Sequence, residues 1–111
     1  MYYDAEDLYE AIERYNDLEN GNCEDEFEQI LNEDYEDIVL LGCTYKYGYV
    51  LKSVATVAFD NAYNDWANDE MNELWDEYEF DEIKDWNPYD VYFTELTEEQ
   101  LEEYVKFRDI E

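Results

Sequence analysis

The sequence predicts a mainly α, small single-domain helical fold over residues 1–111 with a minor, short two-strand β element, an α+β arrangement being the alternative. Three observations carry this reading. Apolar residues recur at helical spacing through most of the chain, with carboxylates on the intervening positions. Hydrophobic residues make up 46% and aromatics 19%, so a formal charge of −28 does not put the chain among acidic disordered segments, which are poor in aromatics. And one window, Ile38 to Phe59, contains no Asp or Glu in a chain that has 34 of them. With 111 residues there is enough chain for one modest core.

The first helix starts at Asp4, a suitable N-cap. Leu8, Ala11, Ile12, Tyr15 and Leu18 form its inner side, and Glu6, Glu10, Glu13 and Asp17 form a column on the other. Asn20-Gly21-Asn22 ends it. A shorter helix from Glu24 to about Asn32 buries Phe27, Ile30 and Leu31. The acid-free window then reads as the core segment, opening with a short buried strand at Ile38-Val39-Leu40-Leu41. Within it, Tyr45, Tyr47 and Tyr49 share a face if extended, while a turn at Gly48 followed by a helix from Tyr49 to Ser53 fits equally well. Cys43, beside the apolar run, reads as a small core hydrophobe, and Cys23 and Cys43 as reduced thiols.

The longest helix runs from a Thr56 cap to about Tyr78. Its apolar side is Phe59, Ala62, Tyr63, Trp66, Ala67, Met71, Leu74, Trp75 and Tyr78. Its other side, Asn61, Asn64, Asp65, Asn68, Asp69, Asn72, Glu73 and Asp76, holds only Asn, Asp and Glu. Solvated helix faces commonly interleave both signs, because Glu to Lys pairs four apart stabilise and like pairs cost a similar amount. After an acidic stretch with Tyr78, Phe80, Ile83 and Trp86 interspersed, Asn87-Pro88-Tyr89 reads as a turn, and Val91-Tyr92-Phe93 as a second strand able to pair with Ile38 to Leu41. Thr97 and Gln100 form a capping box that starts the last helix, with Leu96 stapled to Leu101. Leu101, Tyr104, Val105 and the stem of Arg108 face inward, and Glu98, Glu99, Glu102 and Glu103 face out.

Catalytic patterns are missing. There is no His, a single Ser (Ser53) and no Gly-rich phosphate loop, and two cysteines twenty positions apart do not make a zinc site. With 34 carboxylates, glycosidase-like acid pairs arise by chance. An EF-hand register from Asp17 puts Gly21 at the fifth loop position, where a ligand is required, and Asn22 at the sixth, where glycine is required. The expectation is a protein that is not an enzyme and takes no cofactor and no metal, with no signal peptide and no membrane span.

The charge is the functional signal. B-DNA carries one negative charge per roughly 1.7 Å, so 28 charges match about 48 Å of duplex. A compact chain of this length is only about 34 Å across. Helix residues four apart rise about 6 Å, close to the phosphate step in one strand. Asp65, Asp69, Glu73 and Asp76, with Glu6, Glu10, Glu13 and Asp17, are therefore the candidate phosphate-mimicking residues. Tyr45, Tyr47 and Tyr49 are candidate interface aromatics, lying where two copies could approach without carboxylate repulsion, and the expectation is a homodimer or a joint surface larger than one domain.

In composition, size and lack of a catalytic motif the chain resembles the phage-encoded DNA-mimic inhibitors, the Ocr-type anti-restriction proteins and the acidic anti-CRISPR proteins. Separately, Asp37-Ile38-Val39-Leu40-Leu41-Gly42-Cys43-Thr44-Tyr45, followed by Val50-Leu51-Lys52, Ala58-Phe59 and Tyr63-Asn64-Asp65-Trp66, resembles a pattern in small uncharacterised tailed-phage proteins. The first resemblance implies an inhibitor that occupies the nucleic-acid groove of a host defence protein, such as a Cas effector or a restriction enzyme, in the cytoplasm of an infected cell, without binding nucleic acid or membrane itself. The second implies a phage source and no activity. Two other readings stand beside it: a phage interaction module that docks through exposed aromatics, and a halophilic domain whose acidity serves only solvation.

Overall fold

The structure, a computed structural model, describes residues 3–110. In chain order the elements are α1 (Ala5–Glu19), α2 (Glu24–Asp34), β1 (Ile38–Leu40), β2 (Cys43–Tyr45), α3 (Tyr47–Val54), α4 (Thr56–Glu77), α5 (Phe80–Trp86), a 3-10 turn (Phe93–Glu95) and α6 (Glu98–Ile110). The fold is mainly α with one small antiparallel sheet, as the periodicity predicts. Internal contacts group the chain into two compact units, one formed by the chain up to Asn20 together with the chain from Glu70 on, the other by Gly21–Asp69.

In the first unit the core is drawn from acidic helices. Ala5, Leu8, Ala11 and Ile12 of α1, Phe80 and Ile83 of α5, and Leu96, Leu101 and Tyr104 at and within α6 are buried together. Phe80 is its aromatic centre, with ring centroids 5.3 Å from Phe93, 5.8 Å from Tyr15 and 5.9 Å from Trp75. Burying side chains of this size contributes roughly 1.5–3 kcal/mol each. The ends are set by local chemistry that the sequence announces. Asp4 Oδ1 accepts the Asp7 amide at 2.9 Å. At α6 the capping box closes in both directions: the Thr97 amide donates to Gln100 Oε1 at 2.9 Å and the Gln100 amide to Thr97 Oγ1 at 3.2 Å. Arg108 Nη2 donates to the Tyr3 carbonyl at 2.6 Å while its guanidinium lies over the Tyr104 ring, which places the arginine stem inward as expected.

The second unit is built on Phe27 of α2. Its ring stacks on Trp66 at 5.3 Å and meets Phe59 at 5.5 Å and Tyr63 at 5.9 Å. Packing of α3 on α2 depends on Gly48. A Cβ there would lie 2.5 Å from the Glu28 carbonyl oxygen and 2.9 Å from Glu28 Cγ, and the Gly48 amide donates to Asn32 Oδ1 at 2.8 Å.

Several expectations need correction. The window Ile38 to Phe59 is not the core: of its residues only Gly48 and Phe59 are buried, and Val39, Leu40, Leu41, Val54 and Val57 are exposed. An apolar run three residues long in a two-stranded sheet has no second layer to cover it, so β1 is a strand but not a buried one. Its partner is β2, in the register Ile38↔Tyr45, Val39↔Thr44 and Leu40↔Cys43. Val91 and Tyr92 instead lead into the 3-10 turn that begins at Phe93, while the tight Leu41-Gly42 loop pairs β1 with the segment that directly follows it. Cys43 is exposed, and it is Cys23 that is buried. The acidic stretch after Tyr78 is helical, as α5. The break between α4 and α5 is made by Glu79 at φ 52°, a left-handed position without the glycine that usually marks one. Thr56, expected as the α4 cap, is its first helical residue, and its hydroxyl donates back to the Lys52 carbonyl at 3.2 Å.

Candidate functional site

The exposed positions of helix α4 from Asp60 on hold only amides and carboxylates. Asn61, Asn64, Asp65, Asn68, Asp69, Asn72, Glu73 and Asp76 are all exposed, while Phe59, Tyr63 and Ala67 on the other side are buried. The helix folds this way because its apolar positions keep the 3.6-residue period and its polar ones fill the rest. Asp65 and Asp69 belong to the stretch in the second unit, Glu73 and Asp76 to the stretch in the first. Lysine and arginine are not among the residues of α4. The ion pairs of Lys46 with Asp37 at 3.5 Å and Lys52 with Asp25 at 3.5 Å lie elsewhere, so these cations do not neutralise that face.

On α1, Glu6, Glu10, Glu13 and Asp17 are exposed as a column opposite the buried Leu8, Ala11 and Ile12. Glu6 lines a shallow groove together with Asp4, Glu98, Glu102 and Lys106, so the α1 column continues onto α6. Carboxylates also mark the neighbouring phenols. The Tyr9 pKa is raised, chiefly by its hydrogen bond with Glu13. The Tyr3 phenol is raised by its hydrogen bond to Glu77 Oε1, 3.1 Å long, and by the charge of that carboxylate. Burial raises Tyr78, reinforced by Glu77, Asp7 and Glu10. A tyrosine beside these faces keeps its proton and remains a donor.

The three candidate aromatics do not share a face. Tyr45 ends β2, whereas Tyr47 and Tyr49 lie in α3. Tyr47 is half-buried and stacks on Tyr35 at 4.4 Å. Tyr45 and Tyr49 do come together, in a groove of about 360 Å³ lined also by Leu40, Leu41, Cys43, Val50 and Val54. Sequence reasoning placed these aliphatic residues in the core. The signal for the alternative was Gly42: a two-residue loop containing glycine between β-prone triplets marks a hairpin, and an isolated hairpin has two faces to cover.

A second cavity of about 300 Å³ lies between α5 and α6, lined by Glu82, Asp85, Trp86, Tyr104, Phe107 and Arg108. Burial, with help from the Glu82 carboxylate, pushes the Tyr104 phenol up to about 12. Among the described residues no group of three or more His, Cys, Asp or Glu side chains is placed to hold a metal ion. No helix of the described residues is long and apolar enough to cross a membrane. No protein-family model, curated protein or solved structure matches the chain.

Proposed function

We propose that the protein is a nucleic-acid mimic that inhibits a host DNA- or RNA-binding defence protein, in the manner of anti-restriction or anti-CRISPR inhibitors, by occupying its nucleic-acid groove. The observation that carries this reading is the polar face of α4, a 22-residue helix whose exposed positions from Asp60 on hold only Asn, Asp and Glu, with no cation. Like charges four apart weaken a helix. Two unit charges 6 Å apart repel by about 0.7 kcal/mol in bulk water, so a chain that needed only solubility would interleave lysines at lower cost. A basic groove turns that cost into binding free energy, since charge-assisted hydrogen bonds are roughly twice as strong as neutral ones and the field steers encounter. Asp65, Asp69, Glu73 and Asp76 are the first contacts in this reading, with Glu6, Glu10, Glu13 and Asp17 as a second acidic face. The partner is a host Cas effector, restriction enzyme or comparable groove protein in the infected cell's cytoplasm. The inhibitor performs no catalysis and binds neither nucleic acid nor membrane.

The test is competition. Target captured from host lysate at low salt is challenged with DNA or RNA, and a mimic displaces the nucleic acid stoichiometrically with an affinity that falls as salt rises. A protein captured equally at high salt, with its nucleic acid still bound, would support the aromatic docking module instead. That module would use the groove at Tyr45 and Tyr49.

A further inference from the structure

The groove between the hairpin and α3 has properties that the mimic reading does not use. Leu41, at the tip of the hairpin, is fully exposed and holds φ 51° beside Gly42 at 82°. Both central positions of the loop are therefore left-handed, as a type I′ turn requires, and such turns favour Asn or Gly at the place leucine occupies. An outlier of this kind persists where the position serves something other than the turn. Beside Leu41 the groove walls are Leu40, Tyr45 and Tyr49, each about half exposed, and Val54, which is exposed more fully. Contiguous exposed apolar side chains rimmed by polar ones mark interaction sites on proteins.

We propose that this face is the interface between two copies of the chain, each placing the Leu41 tip against the groove of the other. The occupant follows from charge and shape. No carboxylate lines the groove, so a basic target finds no charge complement in it. Two chains of −28 can meet closely only where neither brings carboxylates, and this window is that place. A projecting side chain and a groove on one surface also satisfy the self-complementarity of a two-fold interface, in which residue i meets j and j meets i. Dimerisation removes the exposed hairpin from solvent, which a two-stranded sheet needs for stability. It also doubles the acidic surface available to a long nucleic-acid groove.

Sedimentation of the full chain at micromolar concentration and physiological salt reads this directly. The expected mass is close to twice 13.6 kDa, with the dimer fraction rising as salt screens the residual repulsion. Leu41→Asn suits the turn and removes the knob, so it sediments near 13.6 kDa with its helical circular dichroism unchanged. Val54→Lys, on the other groove wall, gives the same loss, and in both variants Cys43 reacts with a maleimide faster than in the parent. A parent that stays at 13.6 kDa across this range, or a Leu41→Asn variant that stays dimeric, overturns the proposal. A monomeric parent whose target capture is lost with Leu41→Asn also overturns it, assigning the face to the target. Neither mass measurement contains target or nucleic acid, so their failure leaves the mimic reading standing.

Discussion

The acid-free window and the acidic helices exchange the roles their compositions suggest. Ile38 to Phe59 is the most apolar segment of the chain, yet Leu41, Val54 and Val57 stand exposed. Helices α1 and α6 are among the most acidic segments, yet they supply Leu8, Ile12, Leu101 and Tyr104 to a core in which Phe80 and Ile83 are wholly buried. Burial follows periodicity and the number of covering layers, not local hydrophobicity. A helix with one apolar residue in three or four can bury every one, whereas a three-residue strand pair with apolar residues on both faces has nowhere to put them.

Truncation in the two regions should break the comparison most sharply if it is wrong. Phe80→Ala empties the centre of an aromatic cluster and should cost about 3–5 kcal/mol, a large share of the ~5–15 kcal/mol a small domain has. Val54→Ala, in the apolar window, should change monomer stability by less than about 0.5 kcal/mol. Urea unfolding of both, at a concentration where the chain is monomeric, checks the contrast, and equal losses would return the window to the core. Gly48→Ala comes next. It forces a Cβ against the Glu28 backbone, and a loss of about 1–3 kcal/mol is expected, carried by the α2–α3 packing of the second unit.

Alkaline titration sharpens the other half. Tyr104 is held at about 12 in the folded state against ~10 unfolded, so its contribution is complete below pH ~10 and is lost as pH rises through the folded value. Melting temperature should fall over that interval. Tyr104→Phe, which keeps the ring, should flatten the fall. An identical alkaline slope in the variant would contradict a buried, neutral phenol. The smallest effect belongs to Leu41→Asn, which relieves a left-handed leucine and should raise monomer stability by up to ~1 kcal/mol in urea unfolding.

The helices α1, α2, α4 and α6 were legible because their signals are local: the Asp4 cap, Gly21 at φ 77°, the Thr97 and Gln100 box, and an unbroken 3.6-residue period. The acidic face of α4 was legible for the same reason, since exposure of Asp65, Asp69, Glu73 and Asp76 follows from the burial of Phe59, Tyr63 and Ala67. What was hidden depends on tertiary choices. Helix α5 begins after Glu79, whose left-handed backbone has no glycine to announce it. The hairpin partner of Ile38 to Leu40 lay two residues away, not at Val91, and the pairing of Tyr45 with Tyr49 across a groove requires knowing that α3 folds back beside β2.

The central claim is that position of charge on α4, not total charge, engages the target. Asp65→Asn, Asp69→Asn, Glu73→Gln and Asp76→Asn together keep side-chain shape and leave the apolar side untouched. The matched control, Glu98→Gln, Glu99→Gln, Glu102→Gln and Glu103→Gln, removes the same four charges from α6, where Glu98 and Glu102 border Glu6. The measurement is displacement of DNA from the captured target by each variant, at equal net charge and equal salt. The α4 variant should lose at least about tenfold in potency, equivalent to ~1.4 kcal/mol, and the control should lose less. Equal potency of the two variants, or an α4 variant that displaces DNA as well as the parent, would contradict the assignment of mimicry to this helix.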